Sequence, residues 1–230
     1  MTSPIRGVLF DLDGTLADSA PDLAAALNRV RAAEGLPPVA PASLREYASS
    51  GARGLLLAGM QVTPDHPRYL ALREQFLACY AEGLAAETRL FDGVEPMLAA
   101  LAARGLAWGV VTNKAARYTG PVTSHLGLSG RAAVIVSGDT TPHAKPHPAP
   151  LLHAAQALGL APATCVYVGD DLRDIDAGRA AGMATLVARW GYMGVGAEPD
   201  RWPADGWLEH PRDLAAWLDA HAAATRVATR

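Results

Sequence analysis

Acidic residues that directly follow apolar segments are the side chains of this sequence best suited to chemistry. Asp11 and Asp13 follow the apolar run that ends at Phe10, and Asp170 follows a later apolar run and its glycine. A carboxylate can attack phosphorus to give an acyl phosphate that water then hydrolyses, so one difficult step becomes two easier ones. We therefore predict Asp11 as the nucleophile. Asp13 is predicted to protonate the leaving oxygen and later to take a proton from water.

The charges of these acids predict a metal ion. Asp11 and Asp170 beside a dianionic phosphate would repel each other and the substrate strongly without a counter-ion. Mg²⁺ is a hard cation that binds one or two carboxylates, a phosphate oxygen and several waters. The sequence therefore predicts Mg²⁺ as the cofactor, with Asp11 and Asp170 among its ligands.

Three further polar residues follow other apolar runs. Thr112 offers a hydroxyl and Asn113 an amide to phosphate oxygens, and Lys145 offers a fixed positive charge for the phosphoryl group during transfer. Lys114 and Lys145 are the only lysines in a chain that otherwise uses arginine, which favours a specific role for each. Each residue alone is an ordinary loop residue about as often as a functional one, so the prediction depends on their joint placement.

Short apolar runs alternate with helical patterns through most of the chain. Each helical pattern in the alternating part stops at a glycine, which is a common helix end. The alternation predicts an α/β fold with a doubly wound parallel sheet, whose ligands bind at the carboxyl ends of the strands. The predicted strands are 5–10, 107–111, 132–136, 165–168 and 184–188. The predicted helices between them are 94–104, 115–126, 148–158 and 175–181.

Residues 17–90 interrupt the alternation. They contain no convincing strand, and prolines separate their amphipathic segments. We predict a helical domain over residues 17–90, inserted into a core domain formed by residues 1–16 and 91–230. Arg53 in the insert is a candidate for pairing with a carboxylate of the substrate. The predicted helices of the insert are 22–33, 43–49, 53–60 and 68–85.

Composition limits the kinds of partner that we expect. The chain has 230 residues, a formal charge of −3 and an apolar half, which is typical of a globular protein without a nucleic-acid or anionic-membrane partner. No apolar run approaches the roughly 18 residues that cross a bilayer, and the N-terminus lacks the order of a signal peptide. Two cysteines far apart fit a reducing compartment. We predict a cytoplasmic monomer or homodimer that acts on a small phosphate monoester.

The motifs that carry these residues resemble those of the haloacid dehalogenase (HAD) superfamily, in the same order along the chain. The resemblance implies a Rossmann-like sheet with a mobile cap, and an Mg²⁺-dependent phosphatase that works through an aspartyl phosphate. It implies Asp11 as nucleophile, Asp13 as acid and base, and Thr112 as a phosphate-binding hydroxyl. It also implies Lys145 as the basic residue, and Asp170 and the Asp13 backbone carbonyl as metal ligands. The matching segments are Asp11–Ser19, Val110–Lys114, Lys145–Pro146 and Val168–Ile175.

Further segments of the sequence are similar to those of the phosphoglycolate phosphatase-like members of the family. They are especially similar to those of the branch that acts on N-acetylmuramic acid 6-phosphate. The position of the insert implies a helical cap of the phosphoglycolate phosphatase type. The segments that carry this likeness are Ser50–Arg53, Trp108–Lys114 and Gly169–Ile175.

Some relatives and roles can be separated by local chemistry, and others stay open. Dehalogenases replace the metal-supporting acids, whereas Asp13 and Asp170 are present, and phosphonatases use a cap lysine, whereas residues 15–90 contain none. A sugar phosphomutase of the same superfamily remains an alternative, as does a phospho-acceptor signalling module without turnover. The sequence also leaves open whether Asp171 or Asp174 supports the metal.

Overall fold

Six parallel strands form the central sheet of the protein. The computed structural model describes residues 4–228, with side chains up to Thr225. The strands of the described chain are β1 (Gly7–Phe10), β2 (Ala17–Asp18), β3 (Arg89–Leu90), β4 (Ala107–Val111), β5 (Val134–Val136), β6 (Cys165–Gly169), β7 (Ala184–Ala188) and β8 (Gly206–Leu208). The sheet order is β5-β4-β1-β6-β7-β8, so β1 lies between β4 and β6.

Helices cover both faces of this sheet. The helices are α1 (Ala20–Ala33), α2 (Gly51–Met60), α3 (Tyr69–Glu82), α4 (Val94–Ala103), α5 (Ala116–His125), α6 (Ala149–Ala157), α7 (Leu172–Ala180) and α8 (Asp213–Ala228). Val8 and Phe10 of β1 are buried in a core that includes residues of α4, α5 and α8. Leu9, between them, is buried on the other face with residues of α6 and α7. This period-two alternation confirms the predicted doubly wound α/β sheet.

The helical insert has a core of its own. Buried side chains of α1, α2, α3 and the 3₁₀ helix Pro41–Ser50 pack together, joined by Tyr118 and Tyr192 from the rest of the chain. The two connectors of the insert pair as the antiparallel strands β2 and β3. The insert therefore leaves and re-enters the sheet-containing part of the chain through adjacent segments. The division into domains at residues 16 and 90 stays a prediction.

The structure differs from the predicted elements in several places. Residues 17–90, predicted without a strand, contain the two-residue strands β2 and β3, and the segment predicted as a helix over 43–49 is a 3₁₀ helix. Helix α7 begins at Leu172 rather than at 175, because Asp171 caps its N-terminus and forms a capping box with Asp174. Strand β8 and helix α8 were not predicted. Strand β8 is a three-residue edge strand with an exposed Trp207, so it lacks the continuous apolar run that indicates a buried strand.

Two further features of the described residues concern helix length and the cysteines. Within residues 4–228, no helix combines the length and apolar character that crossing a membrane requires. Cys79 and Cys165 are free thiols, as the sequence predicts. The cytoplasmic location and the oligomeric state stay predictions.

Candidate active site

The centre of the sheet brings the predicted site residues together. Asp11 directly follows β1, and its backbone N–H donates to the Val168 carbonyl of β6 at 2.9 Å. Thr112 directly follows the neighbouring β4, on the other side of β1. Because these strands are parallel, their carboxyl ends lie side by side and place the polar residues at one edge, as predicted.

Two glycines make room for the carboxylate of Asp170. A Cβ on Gly14, whose φ is +90°, would overlap the Asp170 carboxylate, and so would a Cβ on Gly191. The carboxylate accepts hydrogen bonds from the Thr15 hydroxyl at 3.1 Å and from the Tyr192 backbone N–H at 2.8 Å. Asp170 is therefore fixed in position beside the segment that follows β1, and it is only 1% exposed.

Lys145 lies under Asp11 with all three of its donors in use. Its ammonium donates to the Val111 carbonyl at 3.0 Å, to the Tyr167 hydroxyl at 2.7 Å and to Asp174 Oδ1 at 2.7 Å. Asp11 Oδ1 lies 2.8 Å from the same nitrogen but outside hydrogen-bond geometry. An ammonium has three donors, so Lys145 attracts Asp11 by charge while its hydrogen bonds fix its own place.

Three buried carboxylates form a group that fits a divalent cation. Oxygen atoms of Asp11, Asp170 and Asp174 all lie within 4.8 Å of one another. Asp11 Oδ1 is buried and has no hydrogen-bond partner among the described residues. One lysine cannot balance three carboxylates, and oxygen donors at this spacing suit Mg²⁺. The residues present therefore fit the predicted cofactor. The carboxylate group contains the side chain of Asp174 and does not contain the side chain of Asp13.

Without a metal ion, this arrangement raises the pKa of two of the carboxylates. Burial raises the pKa of Asp11 from 3.8 to about 6, with the charge of Lys145 opposing the shift. Burial also raises the pKa of Asp170 well above its ordinary value, and the charges of Asp11 and Asp174 add to that effect. A cation at this place would lower the pKa of both carboxylates, because it stabilises the ionised form of each.

Asp13 points to a second lysine. Lys114 donates to the two carboxylate oxygens of Asp13 at 2.8 and 2.9 Å, and the Ser19 hydroxyl donates to the same carboxylate. The Lys114 ammonium lies 5.0 Å from the ring centroid of Tyr80, which belongs to the insert. Burial lowers the pKa of Lys114, but the charges of Asp13 and Tyr80 and the hydrogen bonds to Asp13 together outweigh burial, so the net shift is upward. The ion pair with Lys114 was not predicted, although the scarcity of lysine signalled a role.

Thr112 and Asn113 occupy the floor beside Lys145. The Thr112 hydroxyl accepts from the backbone N–H of Lys114 at 3.2 Å, which leaves its own hydrogen for another acceptor. The Asn113 carboxamide donates to the Lys145 carbonyl and accepts from the Lys145 N–H, both at 2.9 Å. The Asn113 side chain thus fixes the loop that carries Lys145, while its predicted phosphate contact stays a prediction.

Asp171 has a different environment from Asp174. Its carboxylate caps α7 and pairs with Arg173 at 2.8 Å. Burial would raise the pKa of Asp171, but the hydrogen bonds and charge of Arg173 outweigh burial and lower it. Arg173 also donates to the Ser49 carbonyl of the insert at 2.6 Å. Of the two acids that the sequence left open, only Asp174 is in the carboxylate group.

A cleft of about 360 Å³ lies between the sheet edge and the insert. Its floor includes Asp11, Asp13 and Thr112, and Lys145 lies at the bottom. The insert contributes the opposite wall, including the predicted Arg53 and an apolar surface from α3. A cleft of this size is typical of sites for small molecules.

Metal-free protein is expected to lose stability as pH rises from about 4 to about 6. Asp11 has an ordinary pKa of 3.8, which burial raises to about 6 in the folded protein. Between these values the folded state binds more protons than the unfolded state, so the free energy of unfolding falls by about 3 kcal/mol. Mg²⁺ should therefore raise the Tm of EDTA-treated protein more at about pH 7.5 than at about pH 5. Equal Mg²⁺-induced shifts in Tm at both pH values would argue against a metal held by Asp11.

Fold and site together define an α/β protein with a group of buried carboxylates and lysines at the carboxyl ends of its parallel strands. Comparison with known families agrees. The family of haloacid dehalogenase-like hydrolases matches residues 8–188, and the chain belongs to this family.

Relatives align over nearly the whole chain. The N-acetylmuramic acid 6-phosphate phosphatase of Pseudomonas aeruginosa is 44% identical over 94% of this chain and 95% of its own. A phosphoglycolate phosphatase of Xanthomonas campestris pv. campestris is 46% identical over 92% and 97%, respectively. The crystal structure of a predicted phosphoglycolate phosphatase from Haemophilus somnus 129pt is 28% identical with a TM-score of 0.81, covering 94% of this chain and 99% of that chain. The predicted family, fold class and hydrolase class of enzyme are confirmed.

Proposed function

We propose that the protein is an Mg²⁺-dependent phosphomonoester hydrolase that acts through an aspartyl phosphate at Asp11. The observation that carries the proposal is the site of Asp11 itself. Its carboxylate lies at the floor of the cleft, beside the buried Lys145 and within a group of three acids, and its Oδ1 has no hydrogen-bond partner among the described residues. The Asp11 side chain is 13% exposed and lines the cleft, so a cation and a phosphate can reach the carboxylate.

Each residue of the floor has a role in two displacement steps. Asp11 attacks phosphorus and the bond from phosphorus to the ester oxygen breaks. Asp13, which pairs with Lys114 as a carboxylate, takes up a proton as the substrate binds and gives it to that oxygen. Asp13 then takes a proton from water, which attacks the acyl phosphate and releases phosphate. Lys145 and the Thr112 hydroxyl stabilise the negative charge of the phosphoryl oxygens. Asp11, Asp170 and the Asp13 carbonyl would hold Mg²⁺, with Asp174 beside them and paired with Lys145, and the ion would supply positive charge to the carboxylates and the phosphate.

We assign residues 17–90 as the cap over this floor. The Ser49 hydroxyl lies 3.5 Å from Asp170, and Arg173 of α7 donates to the Ser49 carbonyl. Segments of the insert thus reach the catalytic acids directly, and they supply one wall of the cleft. A cap in this position excludes bulk water from the acyl phosphate and brings substrate-binding groups close to the ester oxygen.

The substrate we propose is a small phosphate monoester that also carries a carboxylate. Relatives are named for 2-phosphoglycolate and for N-acetylmuramic acid 6-phosphate, and both molecules have a carboxylate. Arg53 lines the cleft from the first turn of α2, four residues after Ser49, and none of the carboxylates of the described residues pairs with it. A guanidinium so placed is suited to a substrate carboxylate.

A phosphate-release panel tests this proposal. We expect many turnovers with Mg²⁺ on p-nitrophenyl phosphate, 2-phosphoglycolate, N-acetylmuramic acid 6-phosphate and hexose phosphates, with the carboxylated substrates preferred. EDTA should stop the reaction, and added Mg²⁺ should restore it. A mutase would instead yield an isomeric sugar phosphate, and a signalling module at most one phosphate per chain. Absence of phosphate release from the whole panel with Mg²⁺ present would contradict the proposal.

A further inference from the structure

Helix α3 presents one continuous stripe to the cleft. The stripe consists of residues spaced by four, three, one and three positions, which places them on a single face of an α-helix. All of them line the cleft, and they combine aromatic, apolar and cationic side chains. The α3 stripe is Tyr69, Arg73, Phe76, Leu77 and Tyr80.

The C-terminal end of the α3 stripe lies beside the proposed acid and base. The Tyr80 ring centroid is 5.0 Å from the Lys114 ammonium, which holds Asp13. Tyr80 is only 3% exposed, and its hydroxyl has no partner of hydrogen-bond geometry among the described residues although Lys114 is close. Burial raises the Tyr80 pKa to about 12, so the hydroxyl keeps its proton. Tyr80 thus closes the catalytic end of the α3 stripe as a neutral, buried ring beside Lys114.

Arg73 lies towards the N-terminal end of the α3 stripe. Seven residues separate Arg73 from Tyr80, which is about 10 Å along the helix axis. Within residues 4–228, no carboxylate lies at ion-pair distance from Arg73, whereas Arg68 of the preceding turn pairs with Glu34 at 2.7 Å. Phe76 and Leu77 form an apolar surface between the two ends. The cleft thus has a polar catalytic end, an apolar middle and a cationic far end.

A second guanidinium comes from α5, which lies beside α3. The Tyr118 hydroxyl donates to the Leu77 carbonyl at 3.3 Å, and the rings of Tyr118 and Tyr80 meet edge to face at 5.4 Å. Arg117 lies over the Tyr118 ring at 4.7 Å and also lines the cleft. Like Arg73, it has no carboxylate partner in the described part of the chain. Two cleft-lining cations without a carboxylate partner favour an anionic ligand.

We propose that Arg73 binds a second anionic group of the substrate, on the far side of Phe76 and Leu77 from the phosphate. The inference rests on the proposed phosphatase function and names its substrate class, which is a phosphorylated sugar whose carboxylate stands on a ring carbon remote from the phosphate. Arg53, four residues after Ser49, then remains the candidate for the carboxylate of a short substrate such as 2-phosphoglycolate. Phosphoglycolate is too short to use this end of the cleft. Its carboxylate carbon is three bonds, or about 4 Å, from phosphorus. In N-acetylmuramic acid 6-phosphate the two anionic groups flank the ring.

The test compares two sugar phosphates that differ only in the second anion. Arg73→Ala should raise KM for N-acetylmuramic acid 6-phosphate by about 10- to 100-fold with little change in kcat, because one charge-assisted contact is lost. KM for the same sugar phosphate without the lactyl ether, and for 2-phosphoglycolate, should change by less than about twofold. Arg73→Lys should recover part of the loss, since it keeps the charge. Arg68→Ala, on the same end of α3 but outside the cleft, is the matched control.

The outcomes separate this inference from the proposed function. If the unaltered protein hydrolyses these phosphates but Arg73→Ala changes KM equally for both sugar phosphates, or for neither, the role of Arg73 is wrong while the phosphatase stands. If the unaltered protein releases no phosphate from any of them, both the function and the inference are wrong.

Discussion

Asp11→Asn is expected to abolish phosphate release while making the metal-free protein more stable. The amide cannot attack phosphorus, so turnover should fall by at least about 10⁴-fold. The same change removes one negative charge from a buried group in which the pKa of Asp11 is raised to about 6, so above that pH the Tm should rise. Opposite effects on activity and stability distinguish a catalytic residue from a structural one.

The matched control for this variant is Asp176→Asn. Asp176 lies exposed on α7, outside the cleft, and should keep both the activity and the Tm of the unaltered protein. Phosphate release and thermal denaturation in EDTA give the two readouts. An Asp11→Asn protein that still turns over, or that melts below the unaltered protein, would contradict the assignment.

Lys145→Met is expected to remove both activity and much of the stability. The lysine side chain is 3% exposed, and its loss leaves the buried Asp11 and Asp174 carboxylates without their cation. Removing one partner of a buried ion pair costs about 3–5 kcal/mol. Loss of the charge beside the phosphoryl group should lower kcat by about 10³-fold.

Tyr167→Phe is the comparison for Lys145. It keeps the ammonium and removes only one of its acceptors, along with the hydrogen bond from the Tyr167 hydroxyl to the Val111 carbonyl at 2.7 Å. We expect a loss of about 1–2 kcal/mol and an enzyme that still turns over. Urea denaturation and steady-state kinetics measure both variants. A Lys145→Met protein no less stable than Tyr167→Phe would show that Lys145 does not balance the carboxylates.

The site positions that can be predicted from the sequence are those of residues that directly follow strands. Asp11, Thr112 and Asp170 each come after a strand of a parallel sheet, and sheet geometry alone brings such residues to one edge. Lys145 is further from its strand, and its place under Asp11 depends on a loop. The loop is fixed in part by Asn113, whose carboxamide bonds its backbone.

Other parts of the site depend on orientation, which spacing does not give. Asp174 enters the carboxylate group because the capping box starts α7 at Leu172 and turns that side chain inward. Tyr192 fixes Asp170 through a backbone N–H, a contact that no side-chain pattern indicates. Tyr80 reaches Lys114 from the insert, and the placement of the insert over the sheet edge is a tertiary property. These three contacts therefore cannot be predicted from the type and spacing of the residues alone.

The central claim is that phosphate passes through Asp11. Rapid acid quench of the protein with Mg²⁺ and a substrate that it hydrolyses, followed by mass analysis of the peptide containing Asp11, tests it directly. We predict one phosphoryl group on Asp11, present during turnover and gone when substrate is exhausted, and absent from the Asp11→Asn variant. Release of phosphate while the Asp11 peptide stays unmodified at every quench time would contradict the claim, because water would then attack the ester directly.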